Sequence, residues 1–146
     1  MWYRIAKSDI EKLIADENLL ASVVVLCKQG DKIKVLIEKR GSKPKKHKWA
    51  LPGGHVEKGE SIKEGAAREV KEETDVDIKP DDLMLIDQMI NEKGKHNYFY
   101  CVLLDEDHPA KSGSDAEKAE WHDVDDLPNL AWDNEDYVQK AVRKLL

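Results

Sequence analysis

Hydrophobic positions along this chain change period several times, and each change predicts an element. Ile10, Leu13 and Ile14 recur at helical spacing, and Ser8 with Glu11 fits a capping box, so a first helix is expected over residues 8–17. Residues 21–27 then form an apolar run of the kind expected for a central strand covered on both faces. A second β-like run at 33–37 follows the Gln29-Gly30-Asp31-Lys32 turn, which suggests a hairpin. The clearest helix is 62–74, where Ser61 and Glu64 form another capping box and Ile62, Ala66, Ala67 and Val70 share one side. Strands are expected at 84–90 and 97–104, joined at Lys93-Gly94, with Tyr98 and Tyr100 on one face and Phe99 and Cys101 on the other. A polar loop at 105–116 leads to a short strand around Trp121. A last helix over 134–145 turns Tyr137, Val138, Ala141 and Leu145 inward. Strands broken up by helices imply a mixed sheet with helices on its faces, an α/β or α+β architecture.

Length and charge narrow the function. The 146 residues suit one domain. No apolar run approaches the ~20 residues that span a bilayer, and the N-terminus lacks a signal-peptide stretch, so a cytoplasmic protein with no membrane partner is expected. Acidic residues outnumber basic ones 30 to 24, a net charge of −6, which argues against nucleic-acid binding. The charge is uneven: Lys39, Arg40, Lys43, Lys45, Lys46 and Lys48 crowd together, whereas 105–136 is densely acidic. Cys27 and Cys101 sit in apolar runs with no ligand spacing and read as buried thiols.

The candidate chemistry lies between Gly53 and Val76. Glu69, Glu72 and Glu73 stand at i, i+3 and i+4, which puts three carboxylates on one helix face. Their repulsion weakens a helix unless a divalent cation reverses the sign, and Mg²⁺ takes oxygen ligands. A merely solvated acidic face is the plain alternative. Arg68 can pair with Glu64 or Glu72 and orient a carboxylate. Gly65 leaves room beside the carboxylate face, and Gly53-Gly54 can offer backbone groups to an ion or phosphate.

From Gly54 there are five residues to Glu60, then seven to Arg68-Glu69-Val70-Lys71-Glu72-Glu73-Thr74-Asp75-Val76. This resembles the Nudix box at every fixed position but one, with Trp49-Ala50-Leu51-Pro52-Gly53 as the usual lead-in. A looser resemblance runs from Ala21 to Pro128, and the first 18 residues form an extension outside it. The departure is Asp75 where the family has Gly. That residue ends the helix in the left-handed region, so a small stability cost is expected and no loss of catalysis.

The resemblance implies an α/β/α sandwich and hydrolysis of a nucleoside diphosphate linked to another moiety, with Mg²⁺ or Mn²⁺ and water attack on phosphorus. It makes Glu69, Glu72 and Glu73 metal ligands, joined by the Gly53 carbonyl, with Glu60 and Arg68 holding loop to helix. The base is Glu73 or a later Glu; Glu117 and Glu120 are the loop candidates, and Glu117 is favoured as added ligand or base. Arg40 and Gly54 are the expected substrate contacts. Tyr98 and Tyr100 offer stacking surfaces, while Trp49, Trp121 and Trp132 read as packing residues. His55 lies in the site loop, but Mg²⁺ prefers oxygen.

Substrate markers are sparse. There is no Ser-Gln-Pro-Trp-Pro-Phe-Pro element. Residues 89–92 hold neither the Pro of one ADP-ribose group nor the Tyr of a dinucleoside-polyphosphate group. The stretch from Arg40 through Pro44 to Gly54 is similar to short microbial ADP-ribose pyrophosphatases. ADP-ribose or a nucleoside diphosphate sugar is therefore the leading substrate class. A nucleoside triphosphate pyrophosphatase and a non-catalytic nucleotide-binding module are the alternatives. The stripe Ile10, Leu13, Ile14 would cover the domain's own sheet or a twin subunit in a homodimer.

Overall fold

The computed structural model describes residues 2–4, 18–106, 108–113 and 116–146; the helix expected over 8–17 lies outside them. Strand β2 (Leu19–Gln29) forms the spine of a mixed sheet. Its apolar run is buried on both faces, as a central strand requires. It pairs in parallel with β7 (His96–Leu104) and antiparallel with β3 (Lys32–Arg40) across a turn where Gly30 takes φ 64°. Outside β7 lie β6 (Met84–Asn91) and the edge strand β1 (Trp2–Arg4). Strand β8 (Ala116–Asp123) pairs with β3.

The sheet opens beside the start of β2. There β2 leaves β3 after Leu26↔Val35 and takes β5 (Gly53–His55) instead, pairing Ala21 with Gly54 and Ser22 with Gly53. The far end of β3 pairs with β4 (Trp49–Ala50) and β8. The Trp49–Gly54 stretch, expected only as a lead-in loop, thus supplies two short strands that line this opening.

Helix α1 (Ile62–Thr74) covers one face, with Ile62, Ala66 and Val70 packed on Val23, Leu36, Tyr98 and Tyr100. Its start is the expected capping box: Ser61 Oγ accepts from the Glu64 N–H at 3.1 Å, and the Ser61 N–H donates to Glu64 Oε1 at 2.8 Å. Asp75 ends it at φ 62°, ψ 17°, the left-handed conformation the missing glycine would have taken. Helix α2 (Asn134–Leu145) covers the other face through Val138 and Ala141, so the layers are helix, sheet, helix. Tyr98 and Tyr100 are buried under α1 and offer no stacking surface, a correction to the sequence expectation. Their alternation put them on the core face because β7 is buried on both sides.

Candidate active site

Arg68 organises the acidic edge of α1. Its Nε and Nη2 donate to Glu60, the shortest contact being 2.8 Å. Nη1 donates to Glu69 and to Glu72, each at 3.1 Å, and Nη2 also reaches the His55 carbonyl at 2.9 Å. One guanidinium therefore ties the loop before the helix to two carboxylates on it. Glu64, the alternative partner considered from spacing, is occupied by its capping bonds to Ser61. Hydrogen bonds from Arg68 hold the Glu60 carboxyl below the usual range. Gly65 makes this contact possible: a Cβ there would stand 2.8 Å from Glu60 Oε1.

Glycines shape the opposite wall. A Cβ on Gly54 would lie 2.5 Å from Glu69 Oε2, so the bare backbone leaves the space that this carboxylate fills. A Cβ on Gly53 would lie 2.2 Å from the Ala21 carbonyl oxygen, inside the β5–β2 pairing. The Gly53 N–H donates to Glu73 Oε1 at 3.0 Å.

Glu73 has a second neighbour that the sequence reading missed. Glu38, on β3, is 1% exposed and shares a hydrogen bond with Glu73. Burial and the Glu38 carboxyl push Glu73 up to about 11, and burial raises Glu38 as well, so the pair keeps a proton at neutral pH. In the sequence the apolar run ends at Ile37, where the charge begins. Alternation places Glu38 on the same face as buried Leu36, and that was the available signal.

These groups border an open cleft of about 1270 Å³. Arg40 lines it, with Nε donating to the Pro44 carbonyl at 2.8 Å and its guanidinium 5.0 Å from the Trp132 ring. Trp132 is 44% exposed and sits at φ 56°, followed by Asp133 at φ 55°. Expected as a packing residue, it is instead an aromatic face in the cleft. Phe99 and Tyr137, stacked at 3.8 Å, also line it. Glu117 does not: it pairs with His47 of the basic loop. The preceding residues are fastened to the end of α1, where the Lys111 and Gly113 N–H groups donate to the Thr74 and Glu73 carbonyls. Glu120, the other loop candidate, pairs with His122 at 3.5 Å.

The donors suit a hard cation. Glu69, Glu72, Glu73 and Glu38 offer only oxygen, and Glu38 Oε2 is buried with no hydrogen-bond partner. Among the described residues no three such groups already converge on one ion-sized point, because Arg68 holds Glu69 and Glu72 while Glu38 holds Glu73. Side-chain rotation about these fixed backbones is what ligation requires.

Known proteins share this frame. The NUDIX domain family model matches residues 18–142. A putative nudix hydrolase 1 of Caenorhabditis elegans is 33% identical over 85% of this chain and 34% of its own length. An ADP-ribose pyrophosphatase of Methanocaldococcus jannaschii is 35% identical over 75% of this chain and 66% of its own. The chain thus spans between a third and two thirds of these curated relatives. Among solved structures, the NUDIX domain of Shewanella oneidensis NrtR complexed with ADP ribose superimposes with a TM-score of 0.77 at 19% identity, covering 97% of this chain and 100% of that one. The family match takes in strands β2 to β8, helix α1, most of α2 and the glycine-and-glutamate site between them, and this chain belongs to the Nudix family.

Proposed function

We propose that this protein is a Mg²⁺- or Mn²⁺-dependent pyrophosphohydrolase that cleaves a nucleoside diphosphate linked to a second moiety, with ADP-ribose or a nucleoside diphosphate sugar as its substrate class. The observation that carries the reading is the set of carboxylates on α1 and β3 facing one end of a cleft whose other walls hold Arg40 and Trp132. The relative named ADP-ribose pyrophosphatase supports the substrate class.

Glu69, Glu72 and Glu73 would hold the cation together with the Gly53 carbonyl, and Arg68 and Glu60 fix the loop and helix that carry them. The bound cation supplies positive charge to the pyrophosphate oxygens and lowers the pKa of the attacking water. An acidic cleft repels a diphosphate until that charge is in place. Gly54 and Arg40 face the phosphates, Arg40 with forked donors, and Trp132 stacks on the nucleobase. Of the three candidates for the base, Glu73 lines the cleft and Glu117 and Glu120 do not. Glu117 reaches it only in a state where the pair with His47 has opened.

The test is incubation with a nucleotide panel and Mg²⁺, following phosphate products. ADP-ribose or a nucleoside diphosphate sugar should turn over fastest. Nucleotide affinity without turnover under any cation would instead mark a binding module. Trp132→Ala is expected to raise KM about tenfold with kcat little changed, since stacking is worth about 1–3 kcal/mol per base. An unchanged KM removes Trp132 from the base site.

A further inference from the structure

Glu38 is a costly residue to keep where it is. Among the described residues no other acidic residue is as buried, and its Oε2 has no hydrogen-bond partner. Burying a carboxyl oxygen without a hydrogen-bond partner is unfavourable, and Glu38 Oε2 is in that position. A leucine here would extend the apolar face that Leu36 begins. The charge of Arg40 favours ionisation of Glu38, but burial outweighs it. Arg68 is engaged by Glu60, Glu69 and Glu72, and the Arg40 guanidinium turns to Pro44 and Trp132. What Glu38 meets is a second carboxyl, Glu73, at the inner end of the cleft.

The hydrogen bond between the two carboxyls leaves Glu38 Oε2 without a partner. A divalent ion takes oxygen ligands and would satisfy both groups once the shared proton has left. Resting on the reading of α1 as a cation site, we propose that Glu38 is a further ligand of that ion, gripping it from the strand side while the helix glutamates grip it from the other. The site would then draw its ligands from β3 as well as from α1. Because Arg40 follows Glu38 by two residues on the same strand face, loading also fixes the phosphate-facing guanidinium.

Calorimetry of Mn²⁺ binding to the full chain tests this, using the parent, Glu38→Gln, Glu38→Asp and Glu69→Gln. Glu38→Gln should weaken Mn²⁺ binding about tenfold and shrink the Mn²⁺-induced rise in Tm, while melting in EDTA at or above the parent. A weakening under threefold overturns the proposal. If Glu38→Gln does not fold, Glu38→Asp carries the same threshold, since a carboxylate shortened by one carbon cannot reach the same point. Glu69→Gln separates the two readings. Binding lost there but kept in the Glu38 variants sinks Glu38 alone; a parent that binds no Mn²⁺ sinks the cation site and Glu38 with it.

Discussion

Glu73→Gln is expected to lower turnover by a factor of about 10³ or more while making the metal-free protein more stable. The two effects have one cause. Glu73 is held against Glu38 and the Gly53 N–H, where burial and a like charge oppose its ionisation. A cation at this point reverses the penalty; without one, the fold carries it. Glutamine keeps the shape and can donate to Glu38, so the penalty on ionisation goes, but the charge proposed to grip the cation goes with it. The sign with pH follows from proton binding. In the folded state Glu73 keeps its proton up to about 11, whereas an unfolded glutamate loses it near 4.3. The folded state therefore binds more protons across neutral pH, and this contribution to stability declines as pH rises from about 4.5 toward 11. The slope is at most about 1.4 kcal/mol per pH unit for one proton. Melts in EDTA between pH 6 and 8 should show the parent losing stability and Glu73→Gln nearly flat. Turnover within threefold of the parent would contradict the assignment.

Arg68→Ala should produce the largest loss of stability in the site, about 2–4 kcal/mol. It releases Glu60 and Glu69, whose side chains are each only 17% exposed, along with Glu72, and leaves them to repel one another. The His55 carbonyl loses its donor too, so the loop carrying Gly53 and Gly54 loosens against α1. Turnover should fall about a hundredfold through misplaced carboxylates. Arg68→Lys should recover little, because one ammonium cannot reach Glu60, Glu69, Glu72 and a carbonyl together. Saturating Mn²⁺ should restore part of the lost denaturation midpoint by neutralising the same carboxylates. Denaturant unfolding with and without Mn²⁺ measures both; a midpoint unchanged by Arg68→Ala would show that the network contributes nothing.

Local signals in the sequence were enough wherever the structure is decided locally. The Ser61–Glu64 capping box and the small-residue stripe placed α1 at its observed bounds, and the inward set of α2 did the same for Asn134–Leu145. Spacing alone also put Glu69, Glu72 and Glu73 on one edge. What depends on distant segments was not legible. The β5 pairing exists only because β2 offers a free edge beyond Leu26. Glu38 follows the apolar run directly and precedes Lys39 and Arg40, so nothing local marks it as buried; its burial depends on β8, β4 and the Glu73 side chain, which are distant in sequence. Trp132 reads as packing in the sequence because nothing local announces the two successive left-handed residues, Trp132 and Asp133, that accompany its place in the cleft. The His47–Glu117 pair joins the basic loop to β8 and is equally illegible locally, because the two residues lie far apart in sequence.

The central claim is that the crowded carboxylates between α1 and β3 exist to hold a divalent cation against a pyrophosphate. An anomalous difference map from a crystal soaked in Mn²⁺ tests it most directly. A peak with Glu69, Glu72 or Glu73 oxygens at about 2.1 Å is the predicted result. No peak there at saturating Mn²⁺, in a protein that still hydrolyses nucleotides in EDTA, would contradict it.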